Sequence, residues 1–333
     1  LTQPGVPLWQ GIRRWLPGLF ISLLAIALLL RLTNWRELSQ ALALTDLRSL
    51  PVALLFYLLS MVLRGFAWST LLQHKASLGR VILALNEGYL LNNLFPFRLG
   101  ELGRAFLLGQ AANLSPLFVL STIVIERAYD LAIASGLLLA TLPLVLGVGY
   151  ARPAAIGTLV LVGLGLLGMF LAARHKDRVK QFLDRWAGNW GFFRHRLLPR
   201  LDSLLDGLGT LTHPVEFLLS VAFIAGSWLL GSAEIHILLN SGRLTTPFWW
   251  TGFVLGVISA GVALPSAPAA IGVYEAAAVG ALALLGVPFS DALAFAILAH
   301  LMHVAVTGVI GTYALLRDGE TLAGLYRKVR GVY

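Results

Sequence analysis

The residues able to do chemistry fall in three short runs set between long apolar stretches. The first is Asn92-Asn93-Leu94-Phe95-Pro96-Phe97-Arg98-Leu99-Gly100-Glu101-Leu102-Gly103-Arg104. Polar residues this dense between apolar runs are costly in a membrane and usually functional. Pro96 stops one half-helix, and Gly100 allows a tight backbone turn from which a second restarts. Arg98 and Arg104 flank that restart, whose free N–H groups favour an anion. Glu101 is placed to pair with Arg104 or with a cationic head group, beside Asn92 and Asn93. The plain alternative is a cytoplasmic loop with surface charges.

The second run is Glu126-Arg127-Ala128-Tyr129-Asp130, inside an apolar stretch. Glu126 and Asp130 stand four residues apart and so occupy one helix face, with Arg127 three residues before Asp130. Charges at that depth must pair or line a cavity, so the run is either an internal ion network or a head-group or proton site. The third is Pro265-Ser266-Ala267-Pro268-Ala269-Ala270-Ile271-Gly272-Val273-Tyr274-Glu275, where Glu275 is the only charge between Arg243 and Asp291. Such a carboxylate faces water, a partner or a substrate. His300 and His303 lie three residues apart in the last apolar stretch and can face a cavity together. With no Cys and no further ligand spacing, they read as hydrogen-bonded or pH-sensitive groups, and neither a metal nor a cofactor is expected. Arg64 sits near a helix end and is expected to snorkel.

The elements that position these runs follow from composition. The chain has 333 residues, 58% hydrophobic and 12% charged, with a mean hydropathy of +0.80. Soluble domains are about 45–50% apolar and about 25% charged, so the excess belongs in lipid. An all-α polytopic membrane protein is expected, a single transmembrane domain over 1–333. The net charge of +9 would point to nucleic acid in a soluble domain. Here it reads as basic residues on cytoplasmic loops against an anionic lipid surface, with no nucleic-acid partner. No P-loop, nucleophile elbow or HExxH is present, and a transporter rather than an enzyme is expected. Gly163-Leu164-Gly165-Leu166-Leu167-Gly168 spells a dinucleotide fingerprint but lies mid-span, so it is expected to serve helix packing, as is the Gly252–Gly256 pair.

About 20 apolar residues cross a bilayer. Six stretches qualify, at about 15–31, 50–72, 117–146, 153–173, 215–239 and 289–316. Regions 81–112 and 249–286 are broken by Pro, Gly and polar residues, and are expected to be re-entrant helical hairpins or paired short spans. That gives 6 full spans plus 2 hairpins, or 8 or more helices counted singly. The segment 174–213 carries eight Lys/Arg against four Asp, which places it and both termini in the cytoplasm. Within it Phe182, Trp186, Trp190 and Phe193 recur at helical spacing, as in an interfacial helix. With that topology 50–146 and 215–316 form an inverted repeat. Both hairpins carry Pro, then Gly four residues on, then Glu: Pro96, Gly100, Glu101 and Pro268, Gly272, Glu275. Matched broken segments in two inverted halves point to an alternating-access site.

The three runs, in order over roughly 15–316, resemble the flippase-like family that includes the transmembrane region of lysylphosphatidylglycerol synthases. The resemblance implies movement of a phospholipid or glycolipid between leaflets of the cell inner (plasma) membrane. From the residues themselves, the expected substrate site is Asn92, Asn93, Arg98, Glu101, Arg104, Glu126, Arg127, Asp130, Glu275 and His300, hinged at Pro96, Gly100, Pro265, Pro268 and Gly272. Ala269 and Ala270 replace glycines that many members carry, and Tyr274 stands where many have Arg. The soluble aminoacyl-transfer domain of bifunctional members has no counterpart before Tyr333, so synthesis of the aminoacyl lipid is not expected. The rival readings are an intramembrane transferase for polyprenyl-linked sugars, a small-solute transporter, and a non-catalytic partner of a lipid synthase. A homo-oligomer is compatible with all of them.

Overall fold

The computed structural model describes residues 8–95, 99–146, 151–187, 198–264 and 266–319. Among the described residues the chain is helical and has no strand. The helices are α1 (Leu8–Leu32), α2 (Trp35–Ala43), α3 (Ser49–Leu71), α4 (Leu78–Leu94), α5 (Gly100–Ala111), α6 (Pro116–Leu146), α7 (Ala151–Arg174), α8 (Lys176–Ala187), α9 (Leu198–Gly207), α10 (Pro214–Leu239), α11 (Trp249–Val262), α12 (Val273–Leu284) and α13 (Phe289–Arg317). Short 3-10 turns follow α9 and precede α12. The apolar stretches are helical because a backbone in lipid must satisfy its own N–H and C=O groups.

Three helices, α3, α10 and α13, are each long and apolar enough to cross a membrane. Helix α6 is longer, at 31 residues, but holds Glu126, Arg127 and Asp130 near its middle. Helix α1 turns by 90° into α2, and α7 by 89° into α8. The sequence gives no separate signal for α2. Asn34 caps it by accepting from the N–H groups of Arg36 and Glu37, and Leu38 and Ala41 bury its inner face. Ser290 donates to Glu37 at 3.1 Å, fastening α2 to α13.

The core is organised by pairs. Helix α3 lies along α10, α4 along α13, and α11 along α6. The short helices pack on their neighbours: α4 on α5, α5 on α6, α11 on α12, and α12 on α13. Helix α1 covers α12, while α7 and α9 cover α6. One apolar cluster gathers Trp68, Leu85, Leu108 and Ile125 between α3, α4, α5 and α6. A second gathers Ile235, Phe253, Leu282 and Phe295 between α10, α11, α12 and α13. Leu29, Leu38 and Ala41 extend the second cluster to α1 and α2.

The glycines divide differently from the expectation. Gly252 and Gly256 do face α6, where a Cβ would come within 3.3 Å of Leu137 and 3.0 Å of Leu138. Around Gly163, Gly165 and Gly168 nothing lies within 4 Å of an added Cβ, and all three are exposed on α7. Those three glycines therefore do not face another helix, while Leu166 between them packs against the first cluster. Gly100 keeps an ordinary negative φ, so the restart of α5 does not need glycine's left-handed freedom. It needs the missing side chain, because a Cβ there would collide with the Gly88 carbonyl and Asn92.

Candidate functional site

The two broken regions and the helices beside them enclose one cavity of about 950 Å³. Its surface brings together α3, α4, α5 and α6 on one side and α10, α11, α12 and α13 on the other. The charged and hydrogen-bonding groups on these two sides differ in kind.

The first side is built on arginine. Helix α6 presents Glu126 and Asp130 on one face, as their spacing requires. Glu126 is fully buried and accepts from three arginines: Arg64 Nη1 at 3.0 Å and Arg127 Nη2 at 2.7 Å on Oε1, and Arg104 Nη2 at 2.8 Å on Oε2. Asp130 takes a two-pronged bond from Arg64, Nη1 to Oδ2 and Nη2 to Oδ1, both at 2.9 Å. Arg127 adds a 3.1 Å contact to Asp130, and the Trp228 indole donates to it at 2.9 Å. Glu101 lies 3.9 Å from Arg127. Forked guanidinium–carboxylate pairing suits a buried network, because each additional bond replaces hydration that the charges lost.

Arg104 differs from its neighbours. Its guanidinium lies over the Trp68 ring, 4.6 Å from the centroid, and one Nη2 bond ties it to Glu126. Its Nε and Nη1 are buried and have no partner. Arg104 lines the cavity, and unmatched buried donors of a charged group are expensive to leave empty.

The second side is built on histidine. His300 Nδ1 sits 2.6 Å from Glu275 Oε1, and its Nε2 sits 2.9 Å from the carbonyl oxygen of Ala269. The Glu275 Oε2 accepts the Gly272 N–H at 2.7 Å. His303 Nε2 lies 2.7 Å from Glu234 Oε1. Tyr274 stacks on His300 at 4.3 Å, and Tyr57 stacks on His303 at 4.4 Å. Between α11 and α12 the backbone is left-handed at Ala269 (φ 56°), Ala270 (φ 55°) and Gly272 (φ 84°). Glycine would suit all three positions, so the two alanines are strained where the resemblance implies glycine.

The expected site residues are distributed as follows. Asn92, Asn93, Glu101, Arg104, Arg127, Asp130 and His300 line the cavity. Asn92 also accepts the Gly100 N–H at 2.8 Å, and Asn93 donates to Thr307 at 2.8 Å, joining α4 to α13. Glu126 and Glu275 stand behind the lining as anchors of Arg104 and His300. Pro96, Arg98 and Pro265 fall outside the described residues, as do Trp190 and Phe193. Pro268 and Gly272 flank the strained turn. Arg64 does not snorkel; it is held by Glu126 and Asp130. Among the described residues, no three His, Asp or Glu side chains converge as a metal site would require.

Glu234, Tyr57 and Trp228 are members of the site that the motifs do not mark. Glu234 carried a usable signal, being the only charge between Glu216 and Arg243. Tyr57 and Trp228 carried none, since aromatic residues are common in apolar helices.

Two comparisons relate this chain to known proteins. Glycosyltransferase AglD of Haloferax volcanii is 25% identical over 348 residues, which covers 90% of this chain and 53% of that protein. The chain thus spans about half the length of this relative. The family described as the lysylphosphatidylglycerol synthase TM region matches residues 15–311. The three charged runs, the cavity they enclose and this match over most of the chain agree: the protein is a membrane protein that belongs to the lysylphosphatidylglycerol synthase TM region family.

Proposed function

We propose that the chain is a lipid translocase that moves a phospholipid or lipid-linked head group between leaflets. The observation that carries this reading is the arginine cluster: Arg64, Arg104 and Arg127 all reach the wall of one cavity inside an apolar helical protein. A lipid phosphate matches a guanidinium in charge and geometry. Glu101 and Asp130 line the same side and suit a cationic group on the lipid. Acyl chains would stay in the bilayer while the head group crosses through the cavity.

Alternating access would come from an inverted repeat, α3–α6 against α10–α13, with α4–α5 and α11–α12 as the re-entrant hairpins. The packing pairs support it, because the main contacts of one half have counterparts in the other. Helix α4 on α13 answers α11 on α6, α5 on α6 answers α12 on α13, and α3 on α10 is its own counterpart. Both termini and α8 would lie on the cytoplasmic side of the cell inner membrane. Arg174, Arg178 and Arg185 are exposed there and would face anionic lipid.

The test is translocation in phosphatidylcholine liposomes carrying fluorescent phosphatidylglycerol, read by quenching from outside. The wild-type chain should expose inner-leaflet label that empty liposomes retain. Arg104→Lys keeps the charge beside Glu126 but loses the forked donors, and should slow exposure by about tenfold or more. Equal rates with and without protein would sink the reading.

The name of the AglD relative favours a second reading, an intramembrane transferase acting on polyprenyl-linked sugars. It requires product from a lipid-linked sugar donor and a matching acceptor incubated with the purified chain.

A further inference from the structure

We infer that His300 and Glu275 form a proton-binding site that latches the strained turn between α11 and α12 onto α13. The argument is one of donors and acceptors. The Ala269 carbonyl oxygen can only accept, so His300 Nε2, 2.9 Å away, carries a hydrogen. A neutral imidazole with its hydrogen on Nε2 has a bare lone pair on Nδ1. That nitrogen faces Glu275 Oε1 at 2.6 Å, too close for two lone pairs to meet. A proton therefore lies between them, as imidazolium with carboxylate or as imidazole with carboxylic acid. In both forms the pair is neutral overall and holds one proton more than an imidazole and a carboxylate.

His303 and Glu234 have no such requirement. A neutral imidazole with its hydrogen on Nε2 satisfies an ionised Glu234 at 2.7 Å. The obligatory proton belongs to the His300 pair alone.

The latch holds backbone that would not otherwise stay in place. Ala269 and Ala270 are left-handed without being glycine, which costs conformational energy at each position. Three ties oppose that strain: His300 to Ala269 O, Gly272 N to Glu275, and Ala267 N to Ser22 of α1 at 2.8 Å. Loss of the shared proton leaves the His300 ring one hydrogen for two acceptors, Glu275 and the Ala269 carbonyl oxygen, so lone pair meets lone pair on one side of the ring and the first tie weakens. Ala267, Ala269 and Ala270 border the cavity, and their release would change its wall.

The titratable groups around the pair come from every packed element. They are Tyr57 of α3, Tyr89 of α4, Glu234 of α10, Tyr274 of α12 and His303 of α13, with Arg64, Glu101, Arg104, Arg127 and Asp130 across the cavity. The tyrosines and arginines hold their protons near neutral pH. Helix α1 contributes Ser22 and apolar side chains beside the turn.

The chain has no cysteine, so two introduced cysteines report alone. Spin labels at Ile271→Cys and Val309→Cys, both exposed, span the latched turn and α13. The protein is held in phosphatidylcholine nanodiscs, and the distance between labels is measured by pulsed electron resonance from about pH 5 to about pH 9. The wild-type background should give a narrow distance at acid pH that lengthens and broadens on alkalisation. Glu275→Gln supplies an amide N–H to Nδ1 and keeps an oxygen for Gly272, so it should stay narrow throughout. His300→Phe keeps the stacking on Tyr274 but neither bond, and should be long and broad throughout. A wild-type distance unchanged across the range overturns the proposal. So does Glu275→Gln following the wild type, or His300→Phe staying narrow. The readout needs no lipid movement, so it stands or falls separately from the translocase reading.

Discussion

The two sides of the cavity solve the problem of buried charge in opposite ways. The side on α3, α5 and α6 uses three arginines, which keep their charge at any accessible pH, against Glu126, Asp130 and Glu101. The side on α10, α12 and α13 uses two histidines against Glu234 and Glu275. Fixed charges make a rigid electrostatic frame, beside which, on the translocase reading, an anionic head group would settle. Histidine–carboxylate pairs make a frame whose charge depends on one proton. If the proposed translocase reading holds, permanence on one wall and adjustability on the other would let the protein bind and then let go.

The contrast can be broken most severely at Glu126. Glu126→Ala leaves Arg104 without its acceptor and removes one carboxylate from both Arg64 and Arg127. A buried pair broken from one side costs about 3–5 kcal/mol, so thermal unfolding in detergent should show a loss at the upper end of single-residue effects. The second wall should yield less. His303→Phe preserves the stack on Tyr57 but strands the Glu234 carboxylate, and a lost hydrogen bond to a charged group costs about 1.5–3 kcal/mol. A cost for His303→Phe equal to that for Glu126→Ala would erase the distinction between frame and adjustable wall. The smallest effect should have the opposite sign. Ala269→Gly with Ala270→Gly relieves two left-handed alanines at about 1–2 kcal/mol each, less about 0.4–1 kcal/mol each for glycine's freer unfolded chain. A net gain of about 0–1.6 kcal/mol per site is expected in the same melt, and a loss would mean that the turn is not strained.

Much of the first wall was legible in the sequence because charge inside an apolar helix has few places to go. The four-residue spacing of Glu126 and Asp130 puts them on one face whatever the tertiary structure. What they pair with was not legible. Arg64 lies 62 residues before Glu126, and only the packing of α3, α6 and α10 converts a residue near a helix end into the hub of a network. Glu234 was readable by the isolation rule that singles out Glu275. Gly100 was correctly marked as special, yet for clearance against Gly88 rather than for a turn, a distinction that requires the neighbouring strand of chain. The exposed Gly163, Gly165 and Gly168 show the converse, a glycine pattern with no close helix approach behind it. The 90° bend from α1 into α2 depends on Asn34 as a cap, a short polar signal between two apolar ones.

The three charges in the middle of α6 also bear on how the chain is made. On the scale for helix insertion each central charge costs about 2.5–3.5 kcal/mol, so α6 leaving the ribosome alone has poor reason to enter lipid. Its countercharges, Arg64 on α3 and Arg104 on α5, are synthesised first. Order along the chain therefore supplies the acceptor site before the guest arrives, and α6 should partition as part of an assembly with its predecessors. The cluster that shapes the cavity in the finished protein would thus have served earlier as the docking signal of biogenesis.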